Sequence, residues 1–234
     1  MKTIGLLGGM SWESTAVYYR LINEGVRDRL GGLHSAELVL YSVDFEPIER
    51  LQHRDDWSGA AAALVAAARR VEAAGAEFLV LCTNTMHKVA PQIEDAIGIP
   101  LLHIADATAA EIRKAGVHRV GLLGTRFTME QEFYRGRLSD RHGIEVLIPD
   151  GPERETVHRV IYDELCVGSI RDESRTRYVE IIRELAGRGA EGVVLGCTEI
   201  SLLVGPGDSP IPTFDTTVAH ARSAVDRAVE GEQT

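Results

Sequence analysis

The chain repeats itself at long range. Ile4-Gly5-Leu6-Leu7-Gly8 returns as Val120-Gly121-Leu122-Leu123-Gly124, and the segment Gly75-Ala76-Glu77-Phe78 that leads to Cys82-Thr83 returns as Gly189-Ala190-Glu191-Gly192 leading to Cys197-Thr198. After each cysteine comes a third pair, Ile99-Pro100-Leu101-Leu102 and Ile211-Pro212-Thr213-Phe214. The offsets nearly agree: 116 positions from Ile4 to Val120, 115 from Cys82 to Cys197, 112 from Ile99 to Ile211. Apolar strands that end in glycine are common, so one match carries little. Three in the same order at nearly one spacing read as an internal duplication. Two like halves then carry one cysteine each at equivalent places, which predicts two thiols facing each other across a pseudo-twofold cleft.

Bulk properties narrow the class. The 234 residues are 44% hydrophobic and 26% charged, enough for one large core or two small ones. A formal net charge of -10 argues against a nucleic-acid partner, which would want a basic face, and reads as solubility. No apolar run approaches the roughly 20 residues that span a bilayer, and a strand pattern begins at Thr3 without a leader-like segment. The expectation is a cytoplasmic protein with no membrane partner. Three cysteines, an odd number, do not suggest a disulfide framework, and without CxxC or HxxxH spacing no metal is expected.

Short apolar runs alternate with longer amphipathic stretches. Strands are predicted near Thr3–Leu7, Leu38–Val43, Phe78–Leu81, Leu101–Ile104, Val120–Leu123, Glu145–Ile148, Val193–Leu195 and Pro212–Phe214. Helical patterns include Ser14–Leu30, Ser58–Ala74, Glu130–His142, Asp172–Ala186 and Thr217–Val229. This alternation predicts an α/β fold with mainly parallel sheets flanked by helices. Ligands in such sheets bind beyond the carboxyl ends of the strands. Four segments fall there: Gly8-Gly9-Met10-Ser11, Cys82-Thr83-Asn84-Thr85-Met86-His87, Gly124-Thr125-Arg126 and Cys197-Thr198-Glu199. Gly8-Gly9 lacks the spacing of a dinucleotide fingerprint, and no P-loop lysine comes after it.

A thiol at a helix N-terminus feels the positive end of the helix dipole, so both cysteines are expected to have lowered pKa values. The bland alternative is a small hydrophobe at a strand end. Two thiols at duplicated positions, each followed by a threonine, fit stereoinversion better: one group removes the α-proton from one face of a carbon and the other returns a proton to the opposite face. No cofactor is required. Lys2, Lys88 and Lys114 are the lysines available for a Schiff base, and none has a recognisable pyridoxal-phosphate context. N–H groups and hydroxyls around Thr83–Thr85 and Thr198 are expected to stabilise the carbanion through the substrate carboxylate.

At these residues the chain resembles the aspartate/glutamate racemase family within the Asp/Glu/hydantoin racemases. The similarity runs through Gly-Gly-Met-Ser-Trp-Glu-Ser-Thr from Gly8, the Cys82-Thr83-Asn84-Thr85-Met86-His87 block and Gly196-Cys197-Thr198-Glu199. It implies cofactor-independent amino-acid racemisation in a cleft between two lobes, residues 1–97 with 211–234 and residues 98–210. It further implies Cys82 and Cys197 as the acid/base pair, with Met10, Ser11, Thr83, Asn84, Thr85, Thr125, Thr198 and Glu199 around a small amino-acid substrate, and a homodimer. Relatives that act on aspartate hold the acidic side chain with an arginine and a lysine. Arg50 matches the first, whereas Cys166, in the helix expected over Ile161–Gly168, takes the place of the second. Specificity for aspartate over a broader range of amino acids is therefore left open. His87 reads as thiolate support or as a helix-surface histidine, Glu199 as orienting Cys197 or capping a helix, and Arg126 as a carboxylate contact or a solvated charge. Cysteine-dependent isomerases and decarboxylases of small carboxylates, and a carboxylate sensor without catalysis, are the competing readings.

Overall fold

The computed structural model describes residues 1 to 231. It alternates strands and helices in the order β1 (Ile4–Gly8), α1 (Trp12–Leu30), β2 (Leu38–Ser42), α2 (Phe45–His53), α3 (Trp57–Ala73), β3 (Phe78–Leu81), α4 (Ala90–Glu94), β4 (Leu101–Leu102) and α5 (Ile104–Lys114). The chain continues through β5 (Arg119–Gly124), α6 (Arg126–Glu130), α7 (Glu132–Gly136), β6 (Glu145–Leu147), α8 (Gly151–Asp163), α9 (Asp172–Gly187), β7 (Gly192–Gly196), α10 (Ile200–Leu203), β8 (Thr213–Asp215) and α11 (Thr216–Val229). Two parallel four-stranded sheets result, ordered β2-β1-β3-β4 and β6-β5-β7-β8. The identical order is the structural counterpart of the sequence duplication.

The chain divides into two compact units, residues 1–103 with the segment from His220 onward, and residues 104–219. The limits expected from the sequence are 97/98 and 210/211. Leu101–Leu102 hydrogen-bonds to β3, which draws it into the first unit, and Thr213–Asp215 pairs with β7, which holds it in the second.

In the first unit the period-two alternation of strands is used on both faces. Leu7, Leu79 and Leu81 pack with Leu64, Ala67, Ala68 and Val71 of α3, while Ile4, Leu6, Phe78 and Val80 pack with Tyr18, Ile22 and Val26 of α1 and with Ala224 and Val225 of α11. A sheet covered on both sides needs apolar side chains in both directions, so its strands read as unbroken apolar runs. The alanine run of α3 lets the helix lie close to the sheet. Gly5 has the same purpose, because a Cβ there would stand 2.4 Å from Val71 Cγ1, and its counterpart Gly121 faces Leu185 of α9 in the same way, at 2.9 Å. The second unit buries Val120, Leu122, Val193 and Val194 against α5, α8 and α9 in a single core.

The helix expected over Glu130–His142 is broken. Gln131 adopts extended backbone between α6 and α7, and a π-helical turn succeeds α7 over Arg137–Arg141. The break allows Met129, Tyr134 and Leu138 all to reach the core. Likewise Ile161–Gly168 is not one helix: α8 ends at Asp163, and Cys166 lies in a 3-10 turn, Leu165–Val167, closed by Gly168 in the left-handed conformation. Among the described residues no helix is long and apolar enough to cross a membrane.

His220 braces the first unit. It is fully buried, its Nε2 lies 2.8 Å from the Leu102 carbonyl, and its Nδ1 lies 2.9 Å from the Tyr18 hydroxyl. A carbonyl only accepts, so Nε2 carries the hydrogen and Tyr18 donates to Nδ1. Burial disfavours the imidazolium and pushes its pKa down to about 4. The unfolded chain binds this proton below its ordinary pKa near 6.5, the folded chain only near 4. Stability is therefore lost as the pH falls through that window, by on the order of 3 kcal/mol from this group. Urea unfolding at pH 7 and pH 4.5 should show the loss, and His220→Gln, which keeps an amide donor for Leu102 and does not titrate, should flatten it. An equal loss in the variant would assign the effect to other groups.

Candidate active site

In the first unit the carboxyl ends of β1 and β3 are neighbours, since Leu7 pairs with Leu81. The Cys82 N–H continues that ladder to the Leu7 carbonyl at 2.9 Å, which sets Cys82 beside the loop Gly9-Met10-Ser11. Gly9 turns the chain at φ +94°, where a Cβ would stand 2.2 Å from the Val43 carbonyl. Its N–H donates to Thr15 Oγ1 at 2.9 Å, and Thr15 Oγ1 donates to the Ser11 carbonyl at 2.8 Å. Ser11 caps α1 by accepting from the Ser14 N–H. Met10, Ser11, Cys82, Thr83, Asn84 and Thr85 are all buried. The fold thus gathers these expected site residues at one sheet edge.

Arg50 is not among them. It lies on the exposed side of α2, with both Nε and Nη2 2.8 Å from one oxygen of Glu46. The buried polar residue of that helix is Gln52, whose side-chain amide donates to Met86 Sδ at 2.8 Å. The sequence reading missed Gln52, although its position four residues after the buried Ile48 is a signal: a polar side chain on an apolar helical face.

The second unit repeats the arrangement. Gly124 pairs with Gly196, so Thr125 and Cys197 come directly after adjacent strand ends. Thr125 caps α6, accepting from the Thr128 N–H at 3.3 Å. The Cys197 thiol donates to Glu199 Oε2 at 2.9 Å, and the Thr198 hydroxyl donates to the same oxygen at 2.7 Å. Glu199 is buried, and its carboxylate makes no capping bond to α10. Of its two expected roles, the structure supports orienting the cysteine.

The expected low thiol pKa values are overturned. Cys82 is fully buried, and its one S–H acceptor is the Val80 carbonyl at 3.7 Å. Burial alone pushes its pKa far above the ordinary thiol range. Cys197 is raised as well, first by burial and then by the negative charge of Glu199. The helices after the cysteines are too short to compensate: a 3-10 helix over Thr85–Val89 and the four-residue α10. A macrodipole needs aligned turns, and here desolvation wins.

Other expectations resolve simply. His87 is not on a helix surface; it is 1% exposed. Arg126 is exposed and 3.7 Å from Glu155, a solvated ion pair, and Trp12 is 68% exposed. Cys166 is partly buried and packs on the core of the second unit.

Comparison with known proteins gives a consistent result. The family model of Asp/Glu/hydantoin racemases matches residues 7–224. A candidate Asp/Glu racemase from Yersinia pestis, known from its crystal structure, is 57% identical, with a TM-score of 0.93 over 98% of this chain and 100% of that one. The crystal structure of an aspartate racemase homologue from Pyrococcus horikoshii OT3 is 36% identical, with a TM-score of 0.85 over 98% of this chain and 100% of that one. The broad specificity amino-acid racemase RacX of Bacillus subtilis (strain 168) is 24% identical over 231 residues, 95% of this chain and 96% of that protein.

The contact between Cys197 and Glu199 has a measurable consequence. Alkylation of Cys197, monitored peptide by peptide by mass spectrometry across pH, should have its midpoint well above the ordinary thiol value of about 8.5. Glu199→Gln removes the neighbouring negative charge and should bring that midpoint down. A midpoint that the substitution leaves in place would show that the carboxylate does not act on the thiol.

Proposed function

Because this chain belongs to the Asp/Glu/hydantoin racemase family, we propose that it inverts the α-carbon of amino acids by a two-base mechanism that uses Cys82 and Cys197. The observation that carries the reading is the equivalence of the two thiols: each comes directly after the third strand in sequence of its sheet, in sheets of the same strand order. A reaction whose product is the mirror image of its substrate calls for an acid/base group on each face of the carbon, and a duplicated fold can supply one from each half.

In each direction one sulfur, as thiolate, takes the α-proton from one face while the other, as thiol, delivers a proton to the opposite face. The raised thiol pKa values suit this work. An α-proton of an amino acid is a very weak acid, so a thiolate that is costly to form is also the stronger base once formed. On the Cys197 side, Glu199 accepts the S–H bond and orients that thiol. On the Cys82 side the acceptor is a carbonyl, so the two half-reactions share geometry but not electrostatics. Hydroxyls and N–H groups of Thr83, Asn84 and Thr85, with the N–H of Thr198, are assigned to the substrate carboxylate, where charge develops as the α-proton leaves. Met10 and Ser11, after β1, and Thr125, after β5, come at the strand ends next to those of the cysteines.

The substrate range we propose is broad, with acidic amino acids included. A side-chain carboxylate calls for cations, and Cys166, where the aspartate-specific relatives resembled here have a lysine, offers none. Arg50 is left as the cation for an acidic side chain, exchanging its Glu46 partner for the ligand.

Two experiments test this. Cys82→Ser and Cys197→Ser should each lower net racemisation by about 10²- to 10⁴-fold. In deuterium oxide, one variant should still exchange the α-hydrogen of the L-form without inversion and the other that of the D-form. Full racemisation by both variants would refute the two-thiol mechanism. Arg50→Ala should raise KM for aspartate and glutamate while leaving neutral amino acids nearly unchanged; an equal effect on both classes removes Arg50 from substrate recognition.

A further inference from the structure

Behind the segment that begins at Cys82 lies a cluster of buried imidazoles that the proton transfer does not use. The chain turns there into a 3-10 helix over Thr85–Val89, with Asn84 already in right-handed helical backbone. In this geometry the His87 N–H reaches back three residues, to the Asn84 carbonyl at 3.1 Å. An α-helix would have sent it four residues back, to Thr83. The tighter turn therefore deprives the Thr83 carbonyl of the donor a regular helix would supply, and a buried carbonyl needs one. The His87 ring provides it: Nδ1 lies 2.7 Å from the Thr83 oxygen. Because a carbonyl only accepts, Nδ1 carries the hydrogen.

One residue thus holds two successive peptide groups, the first with its ring and the second with its main chain. In a trans peptide the C=O and N–H point in opposite directions, and Met10–Ser11 is the one cis bond among the described residues. With the two carbonyls turned toward His87, the N–H groups of Asn84 and Thr85 are directed the other way, toward the start of the segment, where Cys82 and Thr83 stand. The ring itself is clamped. It is 1% exposed, lies tilted against His103 at 4.4 Å between ring centroids and meets His220 at 5.9 Å. His220 is in turn held by Tyr18 and by the carbonyl of Leu102, the residue before His103.

We propose that His87 is a positioning residue: its Nδ1–H sets the peptide planes after Thr83 and Asn84 and so aims the N–H groups of Asn84 and Thr85 at the carboxylate of the substrate. The identity of that ligand rests on the racemase reading above; the hold on the two peptide planes does not.

Three substitutions separate this role from simple packing. In His87→Asn the side-chain amide nitrogen falls near the position of Nδ1 and keeps a donor for Thr83. In His87→Gln the amide nitrogen falls near Nε2 instead, and His87→Leu retains volume without a donor. The Gln and Leu variants should lose about 10- to 100-fold in kcat, with a smaller change in KM, as expected when reacting groups are displaced; the Asn variant should recover most of that loss. Amide hydrogen exchange at Asn84 and Thr85 should quicken in the Gln and Leu variants and return toward the original rate in the Asn variant. Nitrogen-15 spectra of the unmodified protein should show His87 with its hydrogen on Nδ1. Equal kinetics and equal amide exchange in all three variants, or a hydrogen found on Nε2 alone, would overturn the proposal. If the unmodified protein exchanges the α-hydrogen of no amino acid, the racemase reading fails, and the imidazole and amide measurements still decide the role of His87.

Discussion

The hydrogen bond from the Cys82 N–H to the Leu7 carbonyl, 2.9 Å long, is where the sheet ends and the site begins. It extends the parallel pairing of β1 with β3 by one rung past Leu81, and everything chemical in the first unit depends on that rung. It places the Cys82 main chain next to the end of β1, and it starts the tight segment that His87 closes. In the second unit Gly124 and Gly196 form the corresponding rung. Both glycines are needed there: a Cβ on Gly124 would stand 3.0 Å from the Gly196 carbonyl, and one on Gly196 would stand 2.8 Å from the Leu123 carbonyl. Strand-end glycine therefore reflects close backbone approach at the site rather than looseness.

Duplication has kept the backbone and released the side chains. Sheet order, the close helix contact over Gly5 and Gly121, and the position of each cysteine are shared. Beyond the threonine that follows each cysteine, the residues differ. Cys82 is succeeded by three buried polar residues and a 3-10 helix locked by imidazoles, Cys197 by a threonine and a glutamate that converge, thiol and hydroxyl together, on one carboxylate oxygen. The first surroundings are rich in directed backbone groups, and the second bring a charge. The two cysteines thus stand in differently built surroundings, one organised by geometry and one by electrostatics.

Both half-sites share a cost. Each thiol is held in surroundings that disfavour its anion, by burial at Cys82 and by burial plus Glu199 at Cys197. Helix dipoles, which the strand-to-helix pattern suggested would offset this, do not outweigh burial: a 3-10 helix follows the first cysteine and a four-residue α-helix the second. In the free protein both sulfurs are therefore biased toward the neutral thiol.

Much of this was legible in the residues alone. The apolar runs from Ile4, Phe78, Val120 and Gly192, and the glycines that close them, determined two parallel sheets of one topology, because burial on both faces of a strand permits little else. The same repeats located Cys82 and Cys197 at strand ends. Tertiary structure decided the rest, since it depends on contacts distant in sequence. Leu101–Leu102 and Thr213–Asp215 changed units because hydrogen bonding to β3 and β7, not local pattern, assigns an edge strand. Gln52 and His87 turned inward because α2 and the 3-10 helix present those faces to the core. The protonation of the two thiols was settled by desolvation and by the direction of one carboxylate, and a sequence encodes neither until the chain has folded around them.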